Sequence, residues 1–139
     1  MKLLAYPLVF AATFSPALAM DQSLVRQFEK LDPQTRLEQR CDTEAMERIN
    51  ADKSSFKPDK VIAYTFAEPV VKEDKMKAPG AVFRSKGEWY KLKFKCRTDA
   101  EHLDVLSFEY KIGELVPHET WDEFYLSPCQ GRRTRWPGG

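Results

Sequence analysis

The chain has 139 residues, with 22 basic and 21 acidic side chains. That length allows one domain built around a single modest core. A charge balance so close to zero excludes global electrostatic steering toward nucleic acid or an anionic membrane, so any such binding must use a local patch.

Residues 1–19 read as a secretory signal peptide. Met1–Lys2 is a short positive start, Leu3–Phe14 is almost entirely apolar, and Ala17 and Ala19 supply the A-x-A pattern that a signal peptidase needs. Cleavage is expected after Ala19. The apolar run falls short of the ~20 residues that span a bilayer, and no other stretch is long enough. Met20 follows the cut in place of a cysteine, which argues against a lipid anchor. Cleavage removes Lys2 and leaves 21 basic against 21 acidic groups.

Leu24, Phe28 and Leu31 fall at i, i+4 and i+7, which predicts two turns of amphipathic helix over Ser23–Leu31. Asp32–Pro33 then supplies an N-cap and a first helical residue. The next helix is expected over Pro33–Ile49, with Leu37, Cys41, Ala45, Met46 and Ile49 on its apolar stripe. Asn50–Lys60 is a polar connection. Val61–Phe66 is β-branched and aromatic and predicts a strand. Glu68–Gly80 holds two prolines and six charged side chains and is expected to be a long mobile loop. Ala81–Arg84 predicts a short strand.

The centre of the chain is GEWYKLKFKC, a polar turn, then VLSFEYKIG. Tyr90, Leu92, Phe94 and Cys96 alternate with Lys91, Lys93, Lys95 and Arg97. Leu106, Phe108, Tyr110 and Ile112 alternate with Val105, Ser107, Glu109 and Lys111. Period two sustained in both runs predicts an antiparallel pair with one buried and one wet face. After Pro117, a short helix is expected, with Trp121, Phe124 and Tyr125 at i, i+3 and i+4. Residues 130–139 are expected to form a disordered basic tail. The domain therefore spans residues 20–129. Its expected class is α+β: N-terminal helices packed on a three- to four-stranded antiparallel sheet, with a short C-terminal helix.

Three cysteines allow three pairings. Cys41 lies on the inward stripe of its helix and Cys96 on the inward face of its strand, so a Cys41–Cys96 disulfide is expected, with Cys129 left over. Closing that loop stabilises by ~4 kcal/mol in the chain-entropy model.

The remaining chemistry is sparse. Cys96 with His102 matches no zinc spacing, and Cys129 with His118 defines no enclosed nucleophile site. Glu114, Glu119, Asp122 and Glu123 read as a solvated face. No phosphate loop or nucleophile elbow is present. The reading is of a protein without catalytic residues, metal or cofactor, and without nucleic acid as a partner. Lys91, Lys93, Lys95 and Arg97 form a row of cations on the outer sheet face. This row either binds an acidic partner, such as an anionic polysaccharide or lipid headgroup, or keeps an exposed sheet soluble.

Three blocks carry a resemblance: LDPQTRLEQRCDTEAMERI, VIAYTF, and the long run from FRSKGEWYKLKFKC to WDEFYL. Together they resemble the alphaproteobacterial "domain of unknown function nine-hundred-and-thirty" family. The resemblance implies an envelope or periplasmic setting and transfers no activity and no catalytic residues. The expected function is that of an exported periplasmic or secreted protein, a non-enzymatic binding or accessory module of the cell envelope. Its partner would be an unknown protein or an anionic envelope component. The alternative is a secreted effector or inhibitor acting on a host or competitor target.

Overall fold

The computed structural model describes residues 20–52 and 55–128. The expected signal peptide, Cys129 and the expected basic tail lie outside the described residues.

Helix α1 (Gln22–Glu29) starts where the Asp21 carboxylate accepts the Ser23 amide. Helix α2 (Pro33–Ala51) starts the same way: Asp32 accepts the Thr35 amide and Pro33 occupies the first turn. Arg36 fastens the joint between them. Its guanidinium donates to the carbonyls of Phe28, Glu29 and Leu31 at the end of α1, and to Glu101 across the molecule. One side chain thus satisfies helix-end acceptors that would otherwise need water. The stripe of Leu37, Cys41, Ala45 and Ile49 is buried, as the four-residue spacing requires.

Five strands form one antiparallel sheet: β1 (Pro58–Ile62), β2 (Val70–Lys72), β3 (Lys75–Ser85), β4 (Glu88–Thr98) and β5 (Val105–Leu115). The order is β1-β3-β4-β5, and β2 lies beside β1 along the same edge of β3. The α+β class stands, with one more strand than the expected upper number.

Four local expectations are corrected. The first strand ends at Ile62, and Ala63–Phe66 turns away from it. The expected loop Glu68–Gly80 is instead β2, a tight turn with Glu73 at φ 54°, and the first half of β3. Its charges are one face of a strand, since Met76 and Ala78 are buried between exposed Lys75, Lys77 and Pro79. The ladder between β3 and β4 steps from Ala78↔Phe94 to Ala81↔Leu92, so Pro79–Gly80 forms a bulge. A bulge tolerates proline in a central strand because it needs no ladder donor there.

The third correction concerns β5. Arg97 pairs with Ser107 but Thr98 pairs with Val105, which leaves Leu106 as an extra residue. This bulge reverses the side-chain phase. Leu106 is 55% exposed, and Val105 packs on the core in its place.

The fourth is the C-terminal segment. It is one 3₁₀ turn (His118–Thr120) followed by a further turn rather than an α-helix. It ends with Tyr125 at φ 56°, with the Leu126 amide bonded to the Trp121 carbonyl and the Tyr125 amide to that of Asp122. That is a Schellman closure, and it turns Tyr125 outward and Leu126 inward.

The core has two parts, one on each sheet face. Helix α2 covers the first, where its stripe meets Met76, Phe83, Leu92, Phe94 and Cys96. The C-terminal segment covers part of the other, where Val82, Trp89, Val116, Trp121 and Leu126 cluster. Arg84 locks this second core. It is only 2% exposed, its guanidinium holds both Asp59 carboxylate oxygens at 2.8 Å, and it reaches the Ser127 carbonyl, which also accepts from the Trp89 indole.

Candidate anion-binding face

Strand β4 alternates so that Lys91, Lys93, Lys95 and Arg97 point away from α2. The C-terminal segment covers their neighbour Trp89 and stops there, so all four cations are exposed. Along a strand such residues repeat at roughly 6.7 Å, and neighbouring strands lie about 4.8 Å away. Four cations therefore span roughly 20 Å.

The register enlarges the row into a field. Lys75 sits opposite Arg97, Lys77 opposite Lys95, and Lys111 opposite Lys93. Lys72 sits opposite Lys75 at the outer strand. Each of these four cross-strand pairs joins like charges, which destabilise a sheet when directly opposed. Glu109, opposite Lys95, is the acidic exception among these partners. Among the described residues the ion pairs are Arg40–Glu44, Arg48–Glu44, Arg84–Asp59 and His118–Glu88, all elsewhere on the molecule.

Sequence reasoning found four of these eight cations. Lys72, Lys75 and Lys77 were missed because their segment was expected to be a loop. Lys111 was assigned to the wet face of its strand but not joined to the row. The alternation K-M-K-A over residues 75–78 was the available signal.

The field is a relief, not a plane. Three open depressions run end to end along it and share walls. Pro79, Lys93 and Lys111 line both the first and the second, and Lys77, Lys95 and Glu109 line both the second and the third. The first has a volume of about 420 Å³. Two glycines make room. Gly113 stands beside Lys91, and a Cβ there would meet the Lys91 Cβ at 3.0 Å. Gly80 lets the backbone of Phe66 and Ala67 cross β3 closely, since an added Cβ would lie 2.7 Å from the Phe66 carbonyl carbon. The Phe66 amide donates to the Gly80 carbonyl at 2.8 Å. This crossing sets Phe66 at one end of the groove, its ring against Phe124 at 4.5 Å and under the Lys91 ammonium at 5.2 Å.

The other candidate residues resolve differently. Cys41 and Cys96 are bonded, with Cα atoms 6.0 Å apart, and tie α2 to β4 through the core. His102 stands 2.9 Å from the Thr98 hydroxyl through Nδ1, and His118 pairs with Glu88. Glu114, Glu119, Asp122 and Glu123 are exposed and flank the C-terminal turn. Among the described residues no three His, Cys, Asp or Glu side chains converge as a metal site would need, and no helix is long and apolar enough to cross a membrane. On α2, the Asp42 carboxyl is pushed up to about 7, first by burial and then by the nearby Glu38 carboxylate. Its Oδ1 has no hydrogen-bond partner.

Fold and face together define a small disulfide-linked α+β domain that presents a predominantly basic sheet surface. The chain belongs to the family described as Domain of Unknown Function (DUF930), whose profile matches residues 28–126, from α1 to the end of the C-terminal turn. No curated protein and no solved structure matches it.

Proposed function

We propose that this protein is an exported, non-enzymatic binding module of the cell envelope, and that the basic face is where it takes an anionic partner. One observation carries the reading: four like-charge pairs set directly opposite one another across adjacent strands. A face evolved only for solubility gains more by mixing signs, because alternating charges are equally wet and attract across the ladder. Keeping the repulsion is the kind of stability cost that binding surfaces carry. The residues on the face suit holding charge rather than transferring protons, being lysines and an arginine spaced several ångströms apart. The leader-like residues 1–19 and the disulfide agree with an oxidising compartment.

Two measurements test this. Fractionation should recover a chain starting at Met20 from the periplasm; recovery mainly from the medium would favour a secreted effector. Reversing Lys93 and Lys95 to Glu should abolish retention on anionic envelope material with the fold intact by circular dichroism. Unchanged retention would return the face to a merely solvated surface.

A further inference from the structure

We infer that the occupant of the basic face is a linear acidic polysaccharide lying along β4, with a charge on each repeating unit. The inference rests on the reading of that face as an anion site and names the ligand's class. Three features select it. The first is extent. The depressions continue one into the next along the strand, so a single lipid headgroup would engage one of them and leave most cations unmet. A chain running over Lys91, Lys93, Lys95 and Arg97 meets a cation at every second residue, at roughly 6.7 Å.

The second is the backbone. The groove floor is β4, whose N–H and C=O groups are engaged with β3 and β5 on its two sides. An extended peptide recognised by strand addition needs an unpaired edge. Along β4 there is none, only side-chain charge and relief; an unpaired edge lies on the far side of β5.

The third is the placement of aromatic groups. Single-stranded nucleic acid is held in basic grooves by bases stacking on successive aromatic side chains. Here the outward residues of β3, β4 and β5 along the groove are six lysines and Arg97, with Pro79, Ser107 and Gly113 between them and Glu109 and Glu114 on the β5 side. Phe94 and Tyr110 border the second depression but pack on the core under α2, whereas Phe66 lies at the groove's end, where it offers an apolar surface to a terminal sugar ring.

The test is a binding titration of the purified, oxidised protein with oligogalacturonides from dimer to octamer. Sulfate-free polyaspartate, single-stranded oligothymidylate and phosphatidylglycerol vesicles are run beside them. The expected result is affinity that climbs with oligogalacturonide length until the row is spanned, and that falls steeply with salt. Lys93→Gln with Lys95→Gln should weaken the octamer roughly tenfold or more and flatten the salt dependence. The same double variant should unfold at a higher temperature, because it removes repulsion. Lys30→Gln with Lys57→Gln, on other surfaces, should change neither reading. Equal binding of dimer and octamer would overturn the linear occupant while leaving an anion site in place. Tighter binding of polyaspartate, oligothymidylate or vesicles would overturn the polysaccharide and name its replacement. No binding to any of the four would overturn both the occupant and the anion-site reading.

Discussion

Among the residues held in states they would not choose in a free chain, Asp42 and Tyr125 can be tested directly. Asp42 is the first. Its carboxyl is raised to about 7 by burial and by Glu38, so the folded protein holds a proton there that the unfolded chain releases near its ordinary value of 3.8. Where the folded state binds more protons, stability falls as pH rises. The contribution of Asp42 is therefore best below about pH 4 and worsens through about pH 7, where an unpartnered carboxylate must be kept from water. Asp42→Asn should raise stability at pH 8 by on the order of 1–3 kcal/mol. It should also flatten the decline between pH 4 and pH 7 in urea-melt midpoints; a slope unchanged by the substitution would rule out Asp42 as its source. Tyr125 is the second, a bulky side chain in the left-handed region and 93% exposed. Glycine adopts that conformation at no steric cost. Tyr125→Gly should therefore leave the thermal midpoint the same or higher by up to a few degrees, with about 1 kcal/mol released. A clear drop would mean that the ring makes contacts of its own.

At the scale of elements, the disulfide and the second core bear most of the testable weight. Cys41 and Cys96 join the helical cover to the central strand, closing 55 residues. Replacing both with Ala should lower stability by about 2–5 kcal/mol in denaturant melts, with the near-native fold retained because alanine is a small apolar group like the half-cystine that it replaces. Trp89→Ala should cost about 3–5 kcal/mol and loosen the C-terminal turn, which would be read as faster amide exchange at Leu126 than at Leu92. The pattern that made this pairing legible was strong: four-residue spacing on α2 and two-residue spacing on β4, both placing sulfur inward. What was not legible has local causes. Charged residues at 72–77 suggested a loop, yet their alternation was that of an edge pair with one wet face. The inward phase of Phe108, Tyr110 and Ile112 was legible, but at the start of β5 the Leu106 bulge exchanges Leu106 for Val105, and only the partner strand reveals a bulge. Arg40, Glu44 and Arg84 are buried against expectation for charged side chains, each partnered by groups distant in sequence or by one helical turn, although Arg40 Nη1 is left without a hydrogen bond. The row on β4 was visible from the sequence. Its enlargement into a field required the register of β2, β3 and β5.

Across the whole molecule, charge is segregated rather than scarce. The composition is nearly neutral, but seven lysines and Arg97 share one stretch of a sheet face with Glu109 and Glu114. Repulsion between exposed charges weakens as ions screen it, with a screening length of about 10 Å at 0.1 M salt. The protein should therefore melt at a higher temperature in moderate sodium chloride than in dilute buffer, and Lys77→Glu, facing Lys95, should reduce that gain. Scanning calorimetry over a salt series measures both. A melting temperature that falls with salt would mean that attractive pairs outweigh the repulsive field.

The span of the disulfide also dictates an order of events during birth of the chain. Synthesis proceeds from the N-terminus, so Cys41 is complete while its partner is still 55 residues from being made. Helix α2 meanwhile has no sheet to lie on, and β4 cannot pair until β3 precedes it and β5 follows. The thiol of Cys41 must wait through the emergence of β1, β2 and β3, exposed to any oxidant or thiol carrier that handles the nascent chain. The bond that ends as the innermost fastening of the fold is thus open to intermolecular exchange until β4 is made, and the bonds of Arg36 to Glu101 and Arg40 to Leu103 form later still.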